Sequence, residues 1–183
     1  NFDGPAGCRG MSPAAPVLGS PERKLRAGDL VFVDVPYGIE GYATDKTLVH
    51  QFGRALPAEV VALHRRCIEI EHRVAAELKP GAIPAEIYRR ILAEQDAAFL
   101  EHFMGFGSRR VSFLGHGVGL QIDEWPVLAE RFDEPLEEGM VLAVEPMVNA
   151  GGYEVKMLGD GWTVVTQDAS LSAHYENTIA VTE

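Results

Sequence analysis

Gly28-Asp-Leu-Val-Phe-Val-Asp34 and Gly139-Met-Val-Leu-Ala-Val-Glu145 repeat one pattern in this 183-residue chain: a turn glycine, an apolar run, and a carboxylate six residues after the glycine. Short runs rich in β-branched residues read as strands, and both are apolar enough to be buried. Each ends in an acid on an otherwise buried strand. That is costly, because Asp and Glu are seldom buried unless paired or bound to a metal. Two such copies are compatible with an internal duplication and two similar halves.

The rest of the chain supplies both strands and helices, hence an α+β fold. After the strand at 30–35, residues 36–41 make a turn and 42–49 a returning strand, a hairpin with Asp34 on one arm and Asp45 on the other. Residues 57–78 carry a helical apolar period through Val60, Leu63, Cys67, Ile70, Val74 and Leu78, and Lys79-Pro80-Gly81 ends it. A second helix is predicted from about 84 to 103, with Pro84 in its first turn. Residues 111–122 read as strand and turn around Gly115-His116-Gly117-Val118-Gly119; residues 140–148, 162–167 and 175–182 read as strands. Residues 1–28, rich in Gly, Pro, Ala and Ser, read as loop with at most a short strand.

This length suits a single domain over 1–183. Asp plus Glu outnumber Lys plus Arg by 27 to 16, a net charge of -11, which argues against nucleic-acid or anionic-membrane surfaces. The sequence has no run of 18 apolar residues to span a membrane. Cys8 and Cys67 make no disulfide framework, and a cytoplasmic setting is expected.

Glu176, just before Asn177-Thr-Ile-Ala-Val, is a third acid beside a core strand. One such acid is simply explained by an edge strand facing solvent, and one His by a core histidine beside a tight turn. Three acids together with His116, stripped of neighbouring side chains by Gly115 and Gly117, are more simply explained by a cation. With Asp45 the set is four carboxylates and one imidazole, suited to Mn, Co, Fe or Zn without selecting among them. Five ligands exceed the three usual at one open catalytic ion, so two divalent metal ions fit the count better. Such a pair activates water and polarises a carbonyl. Nucleotide binding by residues 115–119 is disfavoured: the run is not G-x-G-x-x-G and precedes a strand.

Val33-Asp34, Gly41-Tyr-Ala-Thr-Asp45-Lys-Thr47, Gly115-His116-Gly117-Val118-Gly119, Val144-Glu145-Pro146 and Tyr175-Glu176-Asn177-Thr178 resemble the pita-bread metallopeptidases: methionine aminopeptidases, prolidase and Xaa-Pro peptidases. The resemblance implies a pita-bread fold with pseudo-twofold halves. It implies that Asp34 chelates one metal, that Asp45 and Glu176 bridge both, and that His116 and Glu145 complete the other. The implied reaction removes an N-terminal residue, of Met or Xaa-Pro type, from a peptide substrate. The resemblance implies attack by a metal-bridging hydroxide, with Glu145 as proton shuttle. Up to about residue 145 the chain is more similar to Xaa-Pro peptidases. Beyond it, through Trp162 and the 31-residue step from Glu145 to Glu176, it is more similar to methionine aminopeptidases. The mixture points to an unusual lineage or an engineered chimera.

The chain also departs from the family. Where the family has a substrate His seven residues after the ligand His, it has Asp123. An ionised Asp accepts hydrogen bonds but donates none, so Asp123 would either grip a substrate ammonium group or stand behind the site. The family's other substrate His is missing, since no His precedes His50. Trp162, Ile122 and His174 are the candidates for substrate contact; His50, His64, His72 and His102 read as surface residues. Helices expected before the first strand are absent from the sequence, as in an N-terminally truncated chain. The uncovered first-half sheet would then drive homodimerisation or poor stability. The alternative function is a non-catalytic metal- or peptide-binding member of the fold.

Overall fold

A computed structural model describes residues 24–159 and 164–183; the expectations about residues 1–23 and about Trp162 lie outside the described residues. In order come β1 (Leu30–Asp34), β2 (Tyr37–Ile39), β3 (Tyr42–Thr44), β4 (Thr47–Gln51), α1 (Ala58–Ala75), α2 (Pro84–Ala93) and α3 (Ala97–His102). Then follow β5 (Phe113–Gly117), β6 (Glu124–Ala129), β7 (Val141–Val144), β8 (Met147–Asn149), β9 (Val155–Met157), β10 (Val164–Thr166), β11 (Ser172–His174) and β12 (Asn177–Ala180). No helix among the described residues is long and apolar enough to cross a membrane.

The duplicated pattern is visible in the strand pairing. β1 pairs antiparallel with β4, Asp34 opposite Thr47, and β7 pairs antiparallel with β12, Val144 opposite Asn177. Each pair is joined through a smaller ribbon, β2–β3 in the first half and β8–β11 in the second. Gly28 and Gly139 both adopt positive φ, 99° and 88°, a backbone that side chains resist. Their N–H groups donate to the carbonyls of Phe52 and Val181, closing the two strand pairs in the same way.

The main core lies behind the antiparallel sheet β12-β7-β5-β6. Ile70 and Val74 of α1 and Ile87 and Ile91 of α2 pack there on Leu114, Leu128, Leu142 and Val144. Burying each such side chain contributes roughly 1.5–3 kcal/mol. Gly115 and Gly117 serve this sheet directly. A Cβ at Gly115 would stand 2.1 Å from the Ala143 carbonyl oxygen, and one at Gly117 would stand 2.4 Å from that of Trp125. The glycines flanking His116 thus let β7 and β6 close on β5.

Several expected elements are shorter. The helix expected over 84–103 stops at Ala93, because Gln95 folds back to the Ile91 carbonyl and Asp96 caps a new turn by accepting from Phe99 N at 2.8 Å. The strand expected over 140–148 breaks at Glu145-Pro146, where proline has no N–H for a ladder. The strand over 42–49 breaks at Asp45-Lys46, and that over 175–182 narrows to β12. The strand expected over 162–167 is β10, its first residues lying outside the described set.

The strand at 30–35 is not buried: Phe32 is 42% and Val35 45% exposed. β1 and β4 form a two-stranded sheet of their own. The Leu30 and Val49 end of this ribbon faces α1 across a cavity of about 220 Å³ shared with Val60, Val61 and His64.

Candidate metal centre

Four carboxylates stand where strands end or change partner. Asp34 closes β1, Asp45 separates β3 from β4, Glu145 follows β7, and Glu176 separates β11 from β12. His116 projects from β5, which β7 places beside them with His116 opposite Ala143. Asp45, His116 and Glu176 bring one ligand atom each within 4.8 Å of the others. Glu145 adjoins this trio, its Oε1 lying 3.4 Å from His116 Nε2. Asp34 is exposed and reaches the trio through its charge, which raises the pKa of both Asp45 and Glu176.

The electrostatics match crowded acids. Burial, then the charge of Asp34, pushes Asp45 up to about 6, against the opposing pull of His116. Burial pushes Glu176 up to about 8; the Thr47 hydroxyl, donating to its Oε2 at 2.7 Å, opposes this, and the charges of Asp45, Glu145 and Asp34 add to it. For His116 burial works downward, but Glu145, the Gly117 carbonyl and Asp123 outweigh it and push the imidazole up to about 9. Two crowded carboxylates whose ionisation is resisted for want of compensating charge, beside an imidazole, fit a divalent cation by their donor chemistry.

Second contacts orient these groups. His116 Nδ1 faces two acceptors, the Gly117 carbonyl at 3.1 Å and Asp123 Oδ1 at 3.2 Å. Nδ1 therefore carries a proton and Nε2 is directed at Glu145. Asp123 thus lies beside the ligand-type His, with its side chain 63% exposed. His174 also reaches the site: its Nε2 is buried without a hydrogen-bond partner, 3.6 Å from Glu145 Oε2. Burial lowers its pKa despite Glu145 and Asp34. Ile122 is half-buried on the turn before β6.

Sequence reasoning missed the threonines. Thr178 Oγ1 donates to the Asp45 carbonyl at 2.6 Å and accepts from Asp45 N at 2.9 Å, while Thr47 holds Glu176. The signal was there: Asp45-Lys-Thr47 and Glu176-Asn-Thr178 are the same carboxylate-x-Thr triplet, one per half. His64 was read as a surface residue, but its Nε2 is buried without a hydrogen-bond partner, because α1 turns it toward β11 rather than solvent.

Two pseudo-symmetric halves meeting at a cluster of carboxylates and one imidazole are the architecture of the pita-bread fold. The chain belongs to metallopeptidase family M24, whose model matches residues 5–183. It is 57% identical over 165 residues to a methionine aminopeptidase of Clostridium perfringens, covering 86% of this chain and 62% of that protein. Among solved structures it is similar to a methionine aminopeptidase of Thermotoga maritima, with TM-score 0.64 and 31% identity, covering 88% of this chain and 64% of that one. It is similar also to an X-Pro aminopeptidase of the same organism, with TM-score 0.65 and 25% identity, covering 87% and 38%. The chain spans less than two thirds of the length of the curated methionine aminopeptidases it matches first.

Proposed function

We propose that this chain is a divalent-metal aminopeptidase-type hydrolase that removes an N-terminal residue from peptides. The observation that carries the reading is the convergence of Asp45, His116 and Glu176 within 4.8 Å, with Glu145 against His116. Asp34, Asp45, His116, Glu145 and Glu176 would hold two ions, with Mn, Co, Fe and Zn all suited to the donors. Such ions activate water and polarise a peptide carbonyl. Glu145, with one oxygen toward His116 and the other toward His174, would accept a proton and pass it to the leaving amine. His174 is the candidate donor toward the substrate. Methionine-type specificity is favoured by the relatives' names, with Trp162 and Ile122 as candidate pocket residues.

A second reading, metal binding without turnover, is favoured by Asp123. Its carboxylate turns to His116 and gives the substrate no hydrogen-bond donor where the family has histidine. Loss of one such donor typically costs about a hundred- to a thousandfold in rate.

One experiment separates the two. The protein is purified without chelator, its metal is quantified, and Met-, Ala- and Xaa-Pro-peptides are assayed with added Mn²⁺ or Co²⁺. Metal uptake with hydrolysis, both abolished by Asp45→Ala, is the expected result. Uptake without hydrolysis leaves the binding reading, and absence of uptake removes both.

A further inference from the structure

We infer that Glu71 of α1, acting through Asn177 and Lys46, is a positioning residue for Asp45 and Glu176; the inference rests on the metal site proposed above. Glu71 is 2% exposed, and its Oε1 accepts from Asn177 Nδ2 at 2.8 Å. Asn177 Oδ1 in turn accepts from Lys46 Nζ. The amide of Asn177 is therefore read in one orientation, its NH₂ toward the buried carboxylate and its oxygen toward the ammonium. Lys46 is further held over the Tyr175 ring, 5.1 Å from its centroid, and Glu71 Oε2 faces His72 Nε2 at 3.5 Å.

Lys46 and Asn177 occupy the same place in the two halves, each directly after a carboxylate of the cluster. Their hydrogen bond crosses between the halves one residue beyond Asp45 and Glu176. Glu71 anchors the crossing to α1, the helix packed on the core of the second half. The ribbon bearing Asp45 is otherwise lightly covered, so the relay is one of few ties that fix the spacing of the two acids. Global stability gives little reason for a carboxylate there: burying one costs several kcal/mol, and apolar replacement of buried ion networks is often neutral or stabilising. Orientation of the residues beside the ligands is a sufficient one. Outer partners of metal ligands typically carry roughly 10–100-fold in metal affinity.

Co²⁺ titration calorimetry on the whole chain tests this with Glu71→Leu, Glu71→Gln and Lys46→Met. Glu71→Leu and Lys46→Met should bind Co²⁺ more weakly than wild type, by about tenfold, the low end of that range, since neither touches a ligand itself. Glu71→Leu should melt somewhat below wild type, since it leaves Asn177 Nδ2 without its acceptor, and Glu71→Gln should recover that loss. Glu71→Gln keeps an acceptor for Asn177 and should bind almost as wild type does. A folded Glu71→Leu with wild-type affinity overturns the inference, as does Glu71→Gln binding as weakly as Glu71→Leu. If Glu71→Leu does not fold, Lys46→Met decides, wild-type affinity there being the overturning result. Wild type and variants all failing to take up Co²⁺ would instead remove the site reading and this inference with it.

Discussion

Thr47→Val is the cleanest way to ask whether the carboxylate cluster is a metal site tuned by its hydrogen bonds. Thr47 is fully buried, and valine keeps its branched shape while removing the hydroxyl that donates to Glu176 Oε2 at 2.7 Å. In the metal-free chain Glu176 is pushed up to about 8, so at pH 7 an incoming cation must displace its proton. The Thr47 hydroxyl opposes that rise because it favours the ionised carboxylate. A hydrogen bond to a charged group contributes about 1.5–3 kcal/mol and a neutral one about 0.5–1.5, so the part that favours ionisation is about 1–1.5 kcal/mol. At 1.4 kcal/mol per tenfold, Thr47→Val should weaken Co²⁺ or Mn²⁺ binding roughly five- to tenfold at pH 7. Titration calorimetry at pH 7 and again at pH 9 measures this, with circular dichroism to confirm an intact fold. The deficit should narrow at pH 9, where Glu176 is largely ionised in wild type. An intact Thr47→Val chain with wild-type affinity at pH 7 would refute the reasoning.

Further outcomes follow from the same geometry. In chelator, the chain should lose thermal stability as pH rises from 5 to 9. Asp45, Glu176 and His116 have folded pKa values raised from 3.8, 4.5 and 6.5 to about 6, 8 and 9, so their stabilisation is full below the lower values and lost as pH climbs through the higher ones. A melting temperature flat from pH 5 to 9 would contradict this. Asp123→Asn should lower the pKa of His116 in an NMR titration of the metal-free chain, since a carboxylate 3.2 Å from Nδ1 is removed; an unmoved titration would show that the pair has no electrostatic weight. Cys67, fully buried and pushed up to about 12, should resist alkylation at pH 8 until denaturant is added, and rapid native labelling would place it at the surface. Phe32, Val33, Tyr37, Ile39 and Tyr42 are all exposed on the first-half strands, so self-association is expected; a stable monomer at high dilution in sedimentation velocity would count against it.

Much of this was legible because it depends on local pattern. The apolar period of α1, the glycines around His116 and the two glycine-to-acid strands are consequences of 3.6- and 2-residue repeats and of steric contact, which sequence carries directly. The helix break at Asp96 was less legible, since a capping acid and an ordinary polar helix residue look alike until the backbone leaves the helix. The burial of Glu71 was not legible at all. It lies among ordinary helix residues, and its hydrogen bond comes from Asn177, 106 positions later in the chain.

The acids themselves show how a sound conclusion can rest on an imperfect premise. The sequence puts Asp34 and Glu145 on apolar strands, which makes a cation the way to offset their burial. In the structure β1 ends on Asp34 and β7 ends one residue before Glu145, while Asp45 and Glu176 fall in the gaps before β4 and β12. Asp34 still pairs with Thr47, and Glu145 N–H still donates to the Leu114 carbonyl, so these two stand at the ends of their ladders, while Asp45 and Glu176 stand between strands. Each occupies a point where the chain leaves one partner strand for another, and duplication brings the two pairs of such points together. A strand break leaves backbone groups outside the ladder, and here the break residues are tied across the halves: Thr178 bonds both backbone groups of Asp45, and Thr47 bonds Glu176. The cluster is therefore a product of the pseudo-twofold arrangement as much as of acid burial. Altering either carboxylate-x-Thr triplet should disturb the acid of the opposite half.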